Sequence, residues 1–300
     1  MGANYNYKWV LRKGGKKDIC PSCGQRRFVP YVLAADGVTP AGREFGRCDR
    51  EQSCGYFRYP GGERYESKPL LYAKTEELKT MEYQLPKWKI TDDNTLRTAF
   101  AGLVGDADMV MAMAMYHCGT AADGSCIFPQ YDGKSMRTAK AIRYGSDGHR
   151  MKGDDGESLP VYWWHKAPGN EPTEGHAMRQ CLFGQHLLTI SHFDGMPVWV
   201  VESEKTAVLM AATDTYETRR VWLACGGSQM LKGAIDLSCL NGRDVVLVPD
   251  NMQYWNWLRT AEANGWQCLD ISVLPMADEL PAGYDIWDVR EAQMRKGGGR

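Results

Sequence analysis

The sequence predicts an α/β protein in which a small module precedes an α+β segment and a mostly parallel sheet. From about residue 196 onward, short apolar runs alternate with helix-like segments, as is typical of parallel βαβ units. Two cysteine pairs lie within the first 60 residues, and a hairpin pattern lies between these two parts. The predicted order is a cysteine-rich module (1–60), a linker (61–90), a subdomain with a basic hairpin (91–190) and a parallel-sheet domain (191–300).

The composition excludes several classes of protein. With 43% hydrophobic and 24% charged residues, the 300-residue chain is ordinary for a soluble protein. No apolar run approaches the roughly 18 residues needed to span a membrane, and the first nine residues lack the apolar core of a signal peptide. We therefore predict a cytoplasmic protein, in which the ten cysteines are thiols or metal ligands rather than disulfides.

The small net charge of −1 hides an asymmetry along the chain. Residues 1–60 carry eleven Lys and Arg against five Asp and Glu, so the rest of the chain is acidic. A cationic module attached to an acidic body favours a polyanionic partner such as nucleic acid. The alternative is a solvated basic tail.

The cysteine pairs of the first module are typical of a zinc ribbon, because glycine follows each pair and lets the turn close over an ion. They are Cys20 and Cys23, and Cys48 and Cys54. Segments 27–33 and 43–47 between the pairs have strand composition, with a turn signal at 35–37. Four thiolates close the coordination of one zinc ion, so the predicted site is structural. Four unrelated cysteines are the alternative.

Cations and aromatic rings alternate in the same module. Phe28 and Phe45 are expected to form its core, which leaves the other rings to stack on bases. Cations for phosphates and rings for unstacked bases predict single-stranded nucleic acid as the ligand. The candidate cations are Arg26, Arg27, Arg47, Arg50 and Arg58, and the candidate rings are Tyr31, Tyr56, Phe57 and Tyr59.

The middle of the chain predicts two helices and a hairpin. A helix is expected after Asn94, and a second over 106–116, where alternating methionines also fit a strand. Segments 126–133 and 138–144 predict a hairpin that carries Arg137, Lys140 and Arg143. The spacing of these three cations does not allow them all to share one face, so some are expected to be solvated.

The last 105 residues predict carboxylates at the ends of two buried strands. Strand 197–201 ends at Glu202, and strand 245–249 ends at Asp250. Carboxylates at the carboxyl ends of neighbouring parallel strands can hold a divalent cation. We also expect a strand at 221–225 with a short helix after Gly227, a helix over 253–264, and a strand over 267–273. Glu204 is expected to act only as a favourable partner of its helix dipole.

These residues carry a resemblance to a known family. Glu202, Gly226–Gly227 and Asp250 resemble the successive motifs of a toprim domain, the Rossmann-like, mostly parallel fold shared by bacterial primases, topoisomerases and certain nucleases. The hairpin residues 128–133 and the run 181–184 resemble motifs of the bacterial primase core, which a zinc ribbon also precedes. The run 201–207 is similar to compact primase-like proteins of plasmids, phages and conjugative elements.

The resemblance implies a DNA primase-like protein that binds single-stranded DNA and joins nucleotides into short primers with Mg²⁺ or Mn²⁺. Glu202 and Asp250 would hold the ion, and Asp285 or Asp288 would complete its shell. Lys205, with Lys140 and Arg143, would contact triphosphate or template. A helicase or relaxase of the same mobile element would be the partner in DNA replication or transfer.

One position departs from the toprim pattern. Met252 stands where the second acid of the family's Asp-x-Asp is expected. This departure keeps a second hypothesis open, in which the chain is a catalytically degenerate accessory protein that only binds DNA. A toprim nuclease is a third, and a topoisomerase is the least supported because no segment offers a convincing tyrosine nucleophile.

Overall fold

The chain folds into two compact units, residues 1–75 and 76–300, in a computed structural model. The structure describes residues 8–49, 54, 56–60, 78–215, 218–227, 230–231 and 235–297. Three sequence predictions lie wholly or partly outside these ranges: Arg50, the linker over 61–77, and the short helix after Gly227. Within them, no helix combines the length and apolar character that a membrane span requires.

The first unit contains the predicted ribbon, as a four-stranded antiparallel sheet in the order β1-β2-β3-β4. Its strands are β1 (Trp9–Leu11), β2 (Phe28–Leu33), β3 (Gly46–Cys48) and β4 (Phe57–Arg58). Phe28 is buried between the cysteines, as predicted. Gly46 is required opposite it, because a Cβ at that position would lie only 2.4 Å from the Phe28 ring. Phe45 is only half-buried, so the prediction that it belongs to the core was wrong.

The second unit begins with a strand and two helices. β5 (Lys79–Thr80) lies inside the segment predicted as linker and pairs in parallel with β10 (His176–Ala177). α1 (Thr95–Val104) begins after Asn94, whose side chain accepts hydrogen bonds from the first helical amides. The segment with alternating methionines is a helix, α2 (Asp106–Met115). Met109 and Met113, which are four residues apart, lie on its buried face.

The predicted hairpin lies in an antiparallel sheet of the order β6-β7-β8-β9. Its strands are β6 (Gly119–Thr120), β7 (Cys126–Tyr131), β8 (Met136–Ile142) and β9 (Tyr162–Trp163). The turn between β7 and β8 is stabilised by Asp132, whose Oδ1 accepts hydrogen bonds from the amides of Lys134 and Ser135. β9 forms the edge of this sheet, a position that matters for the site below.

The third part of the unit is the predicted parallel sheet, in the order β12-β11-β13-β14 with all neighbours parallel. Its elements are β11 (Val198–Val201), α3 (Glu204–Thr213), β12 (Val221–Ala224), β13 (Val245–Leu247), α4 (Tyr254–Asn264), β14 (Gln267–Cys268) and α5 (Ile286–Gly297). Gly265 ends α4 in the left-handed conformation, as predicted.

The strand predicted over 267–273 is wrong beyond residue 268. A short 3₁₀ turn replaces it at 271–273, because the side chain of Asp270 accepts a hydrogen bond from the Ser272 amide. Strand β13 is also shorter than predicted and ends before Pro249. One more backbone hydrogen bond, from the Val248 amide to the Val200 carbonyl at 2.8 Å, ties the chain to β11 before it reaches Asp250 at the carboxyl edge of the sheet.

Candidate functional sites

Carboxylates from three segments approach one another at the carboxyl edge of the parallel sheet. Glu202 directly follows β11, and Asp250 follows β13, which is the hydrogen-bonded neighbour of β11. Asp285 and Asp288 lie at the beginning of α5. We call these four residues the acidic edge.

Hydrogen bonds hold the two acids of α5 in place. The Asp288 amide donates to Asp285 Oδ1 at 3.0 Å, and the Asp285 amide donates to Asp288 Oδ2 at 2.9 Å. The hydroxyl of Thr206, on α3, donates to the other oxygen of Asp285. Asn251 accepts from the Gly283 amide at 2.9 Å, so the residue after Asp250 is tied to the segment before α5. The acidic edge is thus positioned by main-chain and side-chain contacts rather than by long flexible side chains.

The electrostatics of the acidic edge are those of carboxylates that repel one another. Burial, together with the nearby charges of Glu202, Asp285 and Asp288, raises the pKa of Asp250 to about 8, and Lys205 opposes that rise. Burial and Asp285 raise the pKa of Asp288 as well. Carboxylates that repel one another in a buried position are stabilised when a divalent cation neutralises them, so the donor set suits Mg²⁺ or Mn²⁺.

The acidic edge is not a closed cage. Over the ranges that the structure describes, only the four cysteines of the first unit bring three or more ligand atoms within 4.8 Å of one another. Met252 adds no ligand and is 48% exposed. Mg²⁺ needs only one or two protein carboxylates when waters and substrate phosphates supply the other ligands. The residues therefore fit an ion that a bound nucleotide helps to hold.

A cavity of about 460 Å³ adjoins the acidic edge, and we call it the central cavity. Glu202, Asp285 and Asp288 line one part of it, and Lys205 and Arg150 line another. Acids and cations facing a single space can bind a metal ion together with the phosphates that the ion neutralises. Its location agrees with the rule that ligands of parallel sheets bind beyond the carboxyl ends of the strands.

A buried ion pair that the sequence did not predict lies beside this cavity. Lys140 Nζ is 2.6 Å from Glu204 Oε1, and both side chains are at most 7% exposed. Lys140 also donates to the Gly226 carbonyl at 2.8 Å and lies 5.0 Å from the centre of the Trp163 ring. The prediction that Glu204 acts only as a partner of its helix dipole was therefore wrong, because Glu204 also forms this ion pair. The ion pair joins β8 to the start of α3, and the hydrogen bond to Gly226 joins β8 to the turn after β12.

Replacing Lys140 by methionine is expected to destabilise the second unit by about 3–5 kcal/mol, because it leaves the Glu204 carboxylate buried without its cation. The double variant Lys140→Met/Glu204→Leu should recover most of that loss. Urea unfolding followed by circular dichroism measures both free energies. Equal stability of the single and double variants would show that the two residues are not coupled.

The other cations of the second unit that were predicted to bind nucleic acid differ in whether a neighbouring acid already pairs with them. Arg137 forms ion pairs with Glu82 at 2.9 Å and with Asp132 at 2.5 Å. Arg143 is exposed, whereas the Lys205 ammonium lies 3.4 Å from the Gly148 carbonyl and faces the central cavity. Contacts of these residues with nucleic acid stay predictions.

In the first unit, the four predicted cysteine ligands come together. The Sγ atoms of Cys20 and Cys54 are 3.7 Å apart, and those of Cys23 and Cys48 are 3.9 Å apart. A tetrahedral ion with Zn–S bonds of about 2.3 Å gives edges of about 3.8 Å. The backbone amide of Tyr56 lowers the pKa of Cys54 to about 7, which favours the thiolate that binds metal. The cluster fits a structural zinc ion.

The same unit exposes rings and cations on β4 and next to it. Phe57 and Tyr59 are 59% and 46% exposed, while Tyr31 packs edge-on against both. The Arg58 guanidinium lies 5.5 Å from the ring centre of Phe45. Arg26 and Arg27 are exposed, and Arg47 is half-buried on β3. This surface offers stacking partners and positive charge, as a single-strand-binding ribbon requires.

Two family models match the chain. A model described as a domain of unknown function (DUF6371) matches residues 94–251, and a zinc beta-ribbon finger model matches residues 5–69. No curated protein matches. Among solved structures, the primase fragment of the bacteriophage T7 primase-helicase protein is similar at 12% identity and a TM-score of 0.38, over 95% of this chain and 99% of that one.

Proposed function

The chain belongs to DUF6371, a family of unknown function, and from its sites we propose that it is a primase-like protein that joins nucleotides on a single-stranded template with Mg²⁺ or Mn²⁺. The observation that carries the proposal is the acidic edge, where three other carboxylates lie near the half-buried Asp250, beside a cavity that is also lined by cations. The toprim-like order of Glu202, Gly226–Gly227 and Asp250 supports it further.

Each residue at this site would have a distinct task. Glu202 and Asp250 would hold the ion, and Asp285 or Asp288 would complete its shell directly or through water. A bound Mg²⁺ would neutralise the nucleotide phosphates and lower the pKa of the primer hydroxyl. Lys205 would pair with the remaining phosphate charge from its place on the first turn of α3. The zinc ribbon would hold the single-stranded template through its exposed rings and arginines.

The proposal is tested by incubating the purified chain with single-stranded DNA, labelled nucleotides and Mg²⁺ or Mn²⁺. We expect short labelled oligomers, and we expect Glu202→Gln or Asp250→Asn to reduce them by at least about 100-fold, because each removes a charge that holds the ion. Glu262→Gln is the matched control, since Glu262 is an exposed acid of α4. Unchanged product from Asp250→Asn would contradict the proposal.

A second candidate function is favoured by Met252 and by the open geometry of the acidic edge. If the loss of the second acid of the Asp-x-Asp motif prevents catalysis, the chain would bind single-stranded DNA as an accessory protein of replication or transfer and catalyse nothing. The same assay separates the two, because this candidate gives binding without product under any metal. Shortened template would instead indicate a toprim nuclease. A helicase or relaxase partner and a cytoplasmic location remain predictions.

A further inference from the structure

A second cavity adjoins the central cavity on the side of the hairpin sheet. It measures about 540 Å³, and three residues line both cavities: Lys140, Val161 and Trp163. We call it the aromatic groove and define it by Tyr162, Trp163, Trp164 and Lys166. The two cavities therefore meet at the edge strand β9, and a strand of nucleic acid that passes from the groove to the central cavity has to round that edge, because Tyr162 and Trp163 lie on opposite faces of the sheet.

The groove is formed by the edge of a sheet and by fixed rings. Tyr162 and Trp163 constitute β9, which pairs with β8 on one side only. Trp164 packs edge-on against Trp88, with ring centres 5.8 Å apart. Tyr162 is 66% exposed although it is a large aromatic residue. The backbone of Tyr162 is already fixed by pairing with β8, so stacking of a flat ligand orders only its side chain.

The charges of the groove select a polyanion. Lys166 is its exposed cation, because the Lys140 ammonium is already paired with Glu204. No acid lines the groove in the part of the chain that the structure describes. Aromatic faces beside an exposed ammonium group form the combination that binds single-stranded nucleic acid, in which bases stack on rings and cations track the phosphates. The acidic surroundings of Asp250 lie at the other end of the path, where a metal ion would reverse the charge.

We infer that the aromatic groove binds the single-stranded nucleic acid next to the reacting end, with one base stacked on Tyr162 and a backbone phosphate near Lys166. This inference rests on the proposed function for the identity of the ligand. It adds a binding surface within the second unit, separate from the zinc ribbon. Trp163, at the boundary, would mark the point where the strand passes into the central cavity.

The test is a binding titration with fluorescein-labelled oligothymidylate, without added divalent metal or nucleotide, so that no turnover is required. We expect Tyr162→Ala to weaken binding about tenfold, the loss of roughly one stacked base. Lys166→Gln should make the dependence of log affinity on log salt shallower by about 0.7, the value of one single-strand phosphate contact. Trp255→Ala is the matched control, because Trp255 is 74% exposed and lines neither cavity.

Photocrosslinking locates the strand independently of affinity. An oligonucleotide that contains bromodeoxyuridine should crosslink to the peptide 160–168, and Tyr162→Ala should reduce that crosslink. Unchanged affinity, salt dependence and crosslinking in the groove variants would overturn the inference, as would equal losses in Trp255→Ala. If crosslinking maps to the groove and no primer forms, the polymerisation proposal fails and the binding surface remains.

Discussion

Replacing Asp250 by asparagine is expected to raise the unfolding temperature of the metal-free protein and to remove its stabilisation by Mg²⁺. The pKa of Asp250 is raised to about 8 in the folded chain by burial and by three neighbouring acids. The folded state therefore holds this proton more tightly than the unfolded state does. The contribution of the Asp250 carboxyl group to the free energy of unfolding is fully present at acid pH, and it is lost as the pH rises from about 4 to about 8.

At neutral pH, folding of the metal-free chain has to supply Asp250 with a proton that the unfolded chain does not hold, and the uncharged asparagine side chain avoids that cost. We expect a gain of about 1–3 kcal/mol in the free energy of unfolding of the second unit, as is common when a strained functional site is relieved. Calorimetry in a magnesium-free buffer and with excess Mg²⁺ measures both effects. Wild-type protein should gain stability with Mg²⁺ by mass action, whereas the variant should not.

The exposed acid Glu262 again supplies the control, since Glu262→Gln should leave the response to Mg²⁺ as it is in the wild type. A less stable Asp250→Asn protein would contradict the electrostatic cost assigned to this carboxyl group. A variant that Mg²⁺ stabilises as strongly as the wild type would show that Asp250 does not hold the ion.

Removal of zinc is expected to unfold the first unit and leave the second folded. Among the residues that the structure describes, the buried hydrophobic side chains of the first unit are Phe28, Tyr31 and Val32, with the two ligands Cys20 and Cys48. Such a small core does not hold four short strands together, whereas structural zinc in small modules supplies roughly 10–16 kcal/mol of apparent binding free energy. The second unit has its own extensive core and should keep its transition.

Heteronuclear NMR of the chain before and after chelation tests this expectation. Amide signals of residues 8–49 should collapse to the narrow range of an unfolded segment, and Cys48→Ser should give the same spectrum with zinc present. Cys239→Ser is the control, because Cys239 lies outside the cluster. A first unit that stays folded without metal would contradict a structural role for the ion.

Local patterns in the sequence predicted most of the elements. The spacing of the cysteines and their glycines predicted the ribbon, and the Asn94 cap and the Gly265 stop predicted helix ends correctly. The ends of short strands were harder to predict. The composition of a run such as 267–273 does not show whether it continues as a strand or forms a turn. There, one hydrogen bond of Asp270 decides the outcome.

Long-range partners were not predictable in the same way. Lys140 and Glu204 are 64 positions apart, and only the packing of the hairpin sheet against α3 brings them into a buried pair. Asp285 and Asp288 were named through a family resemblance, since no local signal links the start of α5 to Asp250. The sign that could have revealed Glu204 is its place two residues after Glu202, at the start of a helix that is apolar over residues 207–212.

Iron-directed cleavage of the backbone tests most directly whether the acidic edge binds a divalent cation. Fe²⁺ that replaces Mg²⁺ generates hydroxyl radicals in the presence of ascorbate and peroxide, and these radicals cut the chain next to the ion. We predict cuts near Glu202, near Asp250 and near Asp285 to Asp288, suppressed by excess Mg²⁺ and absent in Glu202→Ala. Cuts confined to the cysteine cluster, or cuts that Mg²⁺ does not suppress, would contradict the metal site and the nucleotidyl transfer proposed to depend on it.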